Sequence, residues 1–263
     1  MTDTYEVFAL RYATNPARRA GENFLFPDDH AAPMPIDYYV WAIRNAARTI
    51  VVDTGFGPAA GERRGRALLR HPTEALRQIG IDAATVSDVV LTHLHYDHAG
   101  CMADFPAATF HLQDAEMAFA TGRCMCHRVL RFPMELDDVL TGVRMVYAGR
   151  VRFHDGTATL APGITLHRVG GHTGGLQVVR VATARGAVVL ASDATHFWAN
   201  LRTGNPFPLV ADIAAMLEGY RICGELADGP DHIIPGHDPL VLQRFPPVAG
   251  AADAVRLDLP PLA

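Results

Sequence analysis

The chain has 263 residues, 49% of them apolar and 19% charged, with a formal net charge of −5. That composition excludes a disordered chain, and the length is ample for a buried core. All 23 basic residues are arginine. A lysine Schiff base or lysine general base is therefore excluded, and an acidic chain with scattered arginines argues against a nucleic-acid partner.

The opening "MTDTYEVFALRYATNP" has no basic segment followed by an apolar run, so no signal peptide is expected. No apolar run approaches the roughly 20 residues that span a bilayer. Four cysteines (Cys101, Cys124, Cys126 and Cys223) do not make a disulfide framework. A cytoplasmic protein without a membrane partner is the expectation, as monomer or homodimer.

In chain order, "YEVFAL", "DYYVWAI", "RTIVVDTG", "SDVVLTH", "ITLHRV", "LQVVRVA", "AVVLASD" and "DHIIPGH" are β-branched or aromatic runs bounded by turn residues, and they predict strands. "HPTEALRQIG" predicts a helix with Pro72 at its first position and Gly80 as its stop. Residues 211–227 place Ile213, Met216, Leu217, Tyr220 and Cys223 at helical spacing. The chain thus mixes α and β, with strands enough for two sheets.

Loops are expected at "NFLFPDDHAAPMP", at "GRCMCHRVLRFPMEL" and at "FWANLRTGNPFPLV". Their Phe24, Phe26, Trp198 and Phe207 are candidates to face an apolar part of a substrate. The tail from about residue 245 reads as extended and peripheral to a single domain covering residues 1–263. An echo runs through the chain. "TIVVDTG" and "DVVLTH" end at Asp53 and His93, and "AVVLASD" and "HIIPGH" end at Asp193 and His237. Two strands ending in Asp then His, twice over, suggest two similar halves whose polar strand ends meet.

"LTHLHYDHAG" carries the densest chemistry, with His93, His95, Asp97 and His98 inside six positions. Such a cluster serves a metal site or an acid–base network, and it is too dense to be an accident of composition. Along an extended segment His93 and His95 point the same way, while Asp97 and His98 follow in a turn. Further donors stand at other strand ends: His172 in "VGGHTGG", Asp193 in "LASDATH" and His237 in "IIPGHDP". Histidine and carboxylate donors favour zinc, with iron, manganese or cobalt also compatible. Seven donors exceed one tetrahedral site, so two metal ions sharing a carboxylate is the economical arrangement. His30, His71, His111, His154, His167 and His232 lack such settings and read as surface or core residues. Cys124 and Cys126, one residue apart beside His127, read as a reduced loop rather than a thiolate site.

"HLHYDH", "GGHTGG", "SDATH" and "PGHDP", in that order, resemble the metallo-β-lactamase superfamily. The resemblance implies an αβ/βα four-layer sandwich of two mixed sheets flanked by helices, with metals at one edge. It implies that His93, His95 and His172 hold the first ion, that Asp97, His98 and His237 hold the second, and that Asp193 bridges them. Asp53 would orient one of these ligands. The chain departs from the family where Gly170-Gly171 stands in place of Pro-Gly.

Within the superfamily the chain looks most like the N-acyl homoserine lactonases. Three residues after Asp193, where that group usually has tyrosine, it has His196, which keeps a hydrogen-bonding group near a reacting carbonyl. The resemblance implies a hydrolase with Asp97, Asp193 and His196 as its catalytic residues and a partly apolar small molecule as substrate. The alternatives on the same fold are a mononuclear iron sulfur dioxygenase and a glyoxalase II-like thioesterase. The latter is disfavoured because only a short segment follows His237.

Overall fold

The computed structural model describes residues 3–26 and 31–262. Its strands are β1 (Glu6–Asn15), β2 (Ile36–Arg44), β3 (Thr49–Val52), β4 (Ala67–Leu68), β5 (Asp88–Val90), β6 (Thr109–Gln113) and β7 (Val151–His154), then β8 (Thr157–Ala161), β9 (Ile164–Arg168), β10 (Gln177–Thr183), β11 (Gly186–Ser192), β12 (Ile233–Pro235) and β13 (Ala254–Arg256). Its helices are α1 (Pro58–Arg64), α2 (Pro72–Gln78), α3 (Tyr96–Ala99), α4 (Asp114–Thr121), α5 (Arg128–Arg131), α6 (Leu136–Tyr147), α7 (Trp198–Thr203), α8 (Ile213–Leu226) and α9 (Leu240–Arg244). One sheet runs β13-β1-β2-β3-β5-β6-β7 with β4 beside β1, and the other runs β12-β11-β10-β9-β8.

Strand alternation turns these sheets into layers. In β2, Tyr38, Val40 and Ala42 pack with Leu76 of α2 and Phe119 of α4, while Tyr39, Trp41 and Ile43 pack against the second sheet. In β11, Val188 and Leu190 join Trp41 between the sheets, whereas Val189 and Ala191 pack on Cys223 of α8. Three apolar cores therefore separate four layers, helix, sheet, sheet and helix. This is the expected sandwich. None of the helices in the described residues is long and apolar enough to cross a membrane.

All eight expected strands form, as do both expected helices. Pro72 opens α2, and Gly80 follows it at φ +79°. In α8 only the stripe through Met216, Tyr220 and Cys223 is buried, and Ile213 and Leu217 face solvent. The segment after Asp193, expected as loop, winds into α7 before Gly204 stops it at φ +62°. The mid-chain loop is likewise a 3-10 turn (Arg123–Cys126) followed by α5.

The C-terminal segment is not peripheral. β13 pairs antiparallel with β1, and the Leu257 amide donates to the Val7 carbonyl at 2.7 Å. Phe245 and Leu257 are fully buried between the sheets. The physical reason is the open edge of β1, whose unpaired amides and carbonyls need a partner. Replacing Leu257 with alanine is expected to lower stability by about 2–5 kcal/mol, read as a shifted urea midpoint at unchanged slope. A midpoint equal to that of the parent chain would return the tail to a peripheral role.

Candidate metal centre

Two pairs of parallel neighbours deliver the polar residues to one edge. β3 and β5 lead into Asp53 and His93, and β11 and β12 lead into Asp193 and His237. The chain turns sharply at these ends, with Asp53 at φ +62° and Ser192 at φ +47°. Such left-handed positions are uncommon outside glycine, and a short polar side chain tolerates them best. The two ends are tied directly, Ser192 Oγ lying 2.9 Å from Thr92 Oγ1.

Asp193 sits at the centre, 2% exposed. Its Oδ2 lies 3.0 Å from His172 Nε2, 3.1 Å from His196 Nε2 and 3.8 Å from His93 Nε2. Its Oδ1 lies 2.9 Å from His237 Nε2 and 3.3 Å from His98 Nε2. Asp97 closes the second group, its two oxygens 3.8 Å from His98 Nε2 and His237 Nε2. His93, His95, His172 and Asp193 form one buried set of converging donor atoms, and Asp97, His98 and His237 form another.

The outer nitrogens of these rings are committed elsewhere, and that fixes what the inner ones present. His172 Nδ1 donates to the Leu209 carbonyl at 2.6 Å and His237 Nδ1 to the Asp37 carbonyl at 2.7 Å. His98 Nδ1 donates to Asp53 Oδ2 at 2.7 Å. Thr92 donates from its amide and hydroxyl to the same carboxylate, and its hydroxyl oxygen faces His93 Nδ1 at 3.1 Å. A neutral ring whose outer N–H is bound offers its other nitrogen as a lone pair, the state in which it can ligate. His172 Nε2 and His95 Nδ1 then stand 2.9 Å apart, while His93 Nε2 and His98 Nε2 are buried without a hydrogen-bond partner. Lone pairs converging on dry points fit divalent cations, and this donor set suits zinc or a neighbouring transition metal.

The ionisation states divide along the same line. Burial pushes His93 and His95 well below the ordinary imidazole pKa, and neighbouring imidazoles add to the effect. Burial also opposes charge on His98, yet Asp193, Asp53 and Asp97 outweigh it and hold its pKa well above the usual value. His237 is raised by Asp193 and Asp97 against the same burial penalty. Burial would raise Asp193, but the surrounding imidazoles, led by His196 and His237, hold it well below the usual carboxylate range. His196 is driven by burial down to about 3 despite the pull of Asp193.

The donor residues singled out in the sequence now have places. His93, His95, Asp97, His98, His172, Asp193 and His237 come together in the two sets, and Asp53 lies directly beneath His98. Asp97 and His98 are carried by the single helical turn of α3, the turn expected past the strand end. His196 borders both sets and stacks flat on Phe207, centroids 3.7 Å apart. His111, His154, His167 and His232 bond to other protein groups away from the centre, and His30 lies outside the described residues. Cys124 and Cys126 belong to no donor cluster among the described residues.

Of the aromatic candidates, Trp198 is turned away. Its Nε1 donates to the Ile233 carbonyl at 2.8 Å and its ring lies under Arg244. Phe26 is 80% exposed. Phe207, by contrast, stands at the centre against His196, and further apolar surface comes from a narrow crevice at His95 and His172 lined by Phe119, Val129, Leu130, Pro133, Leu209 and Val210.

Glu116 escaped sequence reasoning altogether. It is fully buried in α4 and accepts from the Leu94 amide at 2.9 Å, the Thr173 hydroxyl at 2.6 Å and the Gly175 amide at 3.0 Å. One carboxylate thereby fastens the His93–His95 loop to the His172 loop. A Cβ at Gly175 would stand 2.1 Å from the Glu116 nitrogen, so the second glycine pair of "GGHTGG" is needed for this close approach. That glycine pair was the only signal pointing to a buried neighbour.

Comparisons with known proteins agree with this geometry. The family profile described as the metallo-beta-lactamase superfamily matches residues 35–243. An N-acyl homoserine lactonase, AiiB of Agrobacterium fabrum, is 34% identical over 107 residues, covering 34% of this chain and 38% of its own length. The probable metallo-hydrolase Mb2322c of Mycobacterium bovis is 31% identical over 172 residues, covering 60% of this chain and 53% of its own. The chain thus spans about half or less of the curated relatives it matches. A crystal structure of a quorum-quenching N-acyl homoserine lactone lactonase superposes with a TM-score of 0.74 at 21% identity, covering 91% of this chain and 95% of that one. A structure of an N-acyl homoserine lactone hydrolase, with its product N-hexanoyl-L-homoserine at the catalytic metal centre, gives 0.73 at 19%, covering 92% and 96%. At those identities the likeness shows the fold.

Two outcomes follow from the geometry. Replacing Glu116 with alanine strands three buried donors, each costing about 1–3 kcal/mol, and is expected to weaken metal binding roughly 10- to 100-fold. Unchanged metal affinity by competition with a chelator would remove Glu116 from the centre. The second outcome concerns the metal-free protein, where His98 and His237 have raised pKa values. Their stabilising contribution is complete below the ordinary imidazole value of about 6.5 and is lost as pH rises through the raised values. Metal uptake at about pH 7.5 should therefore expel protons. Calorimetry in buffers of different ionisation enthalpy reads that release, and a buffer-independent heat would contradict it.

Proposed function

The chain belongs to the metallo-beta-lactamase superfamily, and from that premise we propose that it is a metal-dependent hydrolase that opens an ester-type carbonyl, an N-acyl homoserine lactone-like lactone being its substrate class. The observation that carries the reading is the division of Asp193, one carboxylate oxygen toward His93 and His172 and the other toward His98 and His237. Two divalent ions bound there, zinc first, would lower the pKa of a water to about 7 and polarise a carbonyl oxygen.

Within that reading the chain's own residues have distinct tasks. Asp193 sets the spacing of the two donor sets. Asp97, 8% exposed, is the more open of the two carboxylates, and with Asp193 it accepts hydrogen bonds from the attacking water and fixes its line of approach. His196 is held by the stack on Phe207, and its Nδ1 is without a partner. With the Asp193 oxygens taken up by metal, Nε2 need no longer donate there, and the tautomer with the proton on Nδ1 can donate to the carbonyl oxygen or the departing alkoxide, the task given to tyrosine in the resembling lactonases. Phe119, Leu130 and Leu209 line a crevice of only about 10 Å³ at His95 and His172, so an apolar acyl portion would lie over these side chains, and an open apolar cleft would require them to part. An ester carbonyl is favoured over a phosphodiester because the chain is acidic and shows no phosphate-cradling loop.

The test is a hydrolysis panel on zinc-loaded protein together with elemental analysis. Acyl homoserine lactones of several chain lengths, simple lactones, an aryl ester, a β-lactam and a phosphodiester are compared. Two metal ions per chain and lactone turnover that rises with acyl length are expected. Cleavage of only the β-lactam or the phosphodiester would sink the substrate class, and a single iron per chain would favour the sulfur dioxygenase instead. Replacing His196 with alanine should cut turnover by roughly 10²–10³ at unchanged metal content. Full activity in that variant would reduce His196 to packing.

A further inference from the structure

Away from the centre, a second cluster of donors stands on the outer side of α3. His71 caps the start of α2, Cys101 follows α3, and Asp104 lies in the 3-10 turn after it. His71 Nε2 is 3.7 Å from Cys101 Sγ and 3.7 Å from Asp104 Oδ2, and all three donor atoms lie within 4.8 Å of one another. The His71–Asp104 contact is too long for a hydrogen bond. It is close to the separation of two ligands on one tetrahedral zinc, about 3.3–3.6 Å from bond lengths of roughly 2.0–2.3 Å. The spacing leaves room for an ion among the three groups.

We propose that His71, Cys101 and Asp104 form a separate metal site for one zinc-class cation, held by Nε2, Sγ and a carboxylate oxygen with water completing the shell. Sulfur and imidazole together select a borderline-soft ion over calcium or magnesium. The outer partner required of a ligating histidine is in place, because His71 Nδ1 lies 2.9 Å from Thr73 Oγ1. In that tautomer Nδ1 donates to the hydroxyl and Nε2 is left as a lone pair. That tautomer gives up the helix-capping bond in which Nδ1 accepts from the Thr73 amide, the longer of the two contacts at 3.4 Å. Cys101 is 5% exposed, and its thiol proton passes to solvent as the metal–sulfur bond forms. The side chains of His71 and Asp104, 27% and 44% exposed, give the ion a way in.

The site's position gives it a task. The Cys101 amide donates to Thr54 Oγ1, which itself donates to the His98 carbonyl, and the Gly100 amide donates to the Gly55 carbonyl. An ion on Cys101 and His71 would pin the C-terminal end of α3, which carries Asp97 and His98, to the start of α2. It braces the centre from outside and takes no part in the hydrolysis.

Cobalt(II) separates the two sites by spectroscopy, since the centre described above contains no sulfur. The full chain carrying Cys124→Ser and Cys126→Ser, which removes the two thiols that are not buried, is stripped with chelator and titrated with cobalt. A near-ultraviolet thiolate-to-cobalt band that saturates at one ion per chain is expected, whatever the His/Asp centre takes up. Cys101→Ser should abolish the band while leaving the visible absorption of the other ions. His71→Ala and Asp104→Asn, at more exposed positions, should each weaken the site at least roughly tenfold and keep the test valid if Cys101→Ser does not fold. Absence of the band, or a band indifferent to His71→Ala and Asp104→Asn, would overturn the proposal and leave a thiol beside an imidazole.

Discussion

Asp193 is a buried carboxylate ringed by imidazoles, and every nearby loop is shaped to keep it so. An isolated buried carboxylate costs several kcal/mol or more. Here the cost is offset by His98 and His237, which take up charge in answer to it. Burial keeps His93 and His95 neutral, His172 is tied outward to the Leu209 carbonyl, and the inner Nε2 of His93 is left without a hydrogen-bond partner. A protein that needed only stability would do better with apolar residues of the same volume. Retaining so many convergent donors makes sense when the missing partners are cations.

Precision in such a cluster depends on what stands behind each ring. Asp53 collects Thr92 and His98 on one carboxylate, and its left-handed backbone turns that carboxylate under the site. Thr92 then reaches Ser192 on the other sheet, so the two halves share a hydrogen-bonded seam at the point where the donors converge. Glu116 does the same between the His95 and His172 loops. These outer contacts are all shorter than the 3.8 Å gaps between Asp97 and its imidazole neighbours. The framework is tight behind the rings and the donors converge closely on Asp193, with the wider gaps left around Asp97, as expected for a preorganised ligand shell.

The difference between what the sequence disclosed and what it hid follows from the same division. Donor residues had to stand at strand ends in glycine-rich turns, and those residue types in those places are conspicuous: "HLHYDH", "GGHTGG" and "PGHDP" could be read directly. Central strands buried on both faces are continuous apolar runs, so β2, β10 and β11 were equally plain. β6 was missed because "TFHLQ" mixes His111 and Gln113 into a buried strand, where they bond to Asp88 and Gln177 across long sequence distances. β13 was missed because an edge strand of three residues is defined by its partner β1 and hardly at all by its own composition. Glu116 was invisible for the same reason, since its three donors lie 22, 57 and 59 residues away.

The apolar crevice beside the centre is built differently from the donor loops. Its walls are α4, α5 and the loop before α8, elements that touch the donor loops at Glu116 and Leu209 but contribute no donor side chain. Val129 is 69% exposed and Leu130 half-buried, and α5 is a single turn with no strand pairing to fix it. Packing therefore constrains these positions far less than it constrains Asp53 or Glu116. Side chains there can change volume without disturbing a ligand, whereas a change behind the rings moves the ligands themselves. The fold thus separates positions held by the donor framework from positions that packing leaves free, and the motifs readable in the sequence all fall on the first side.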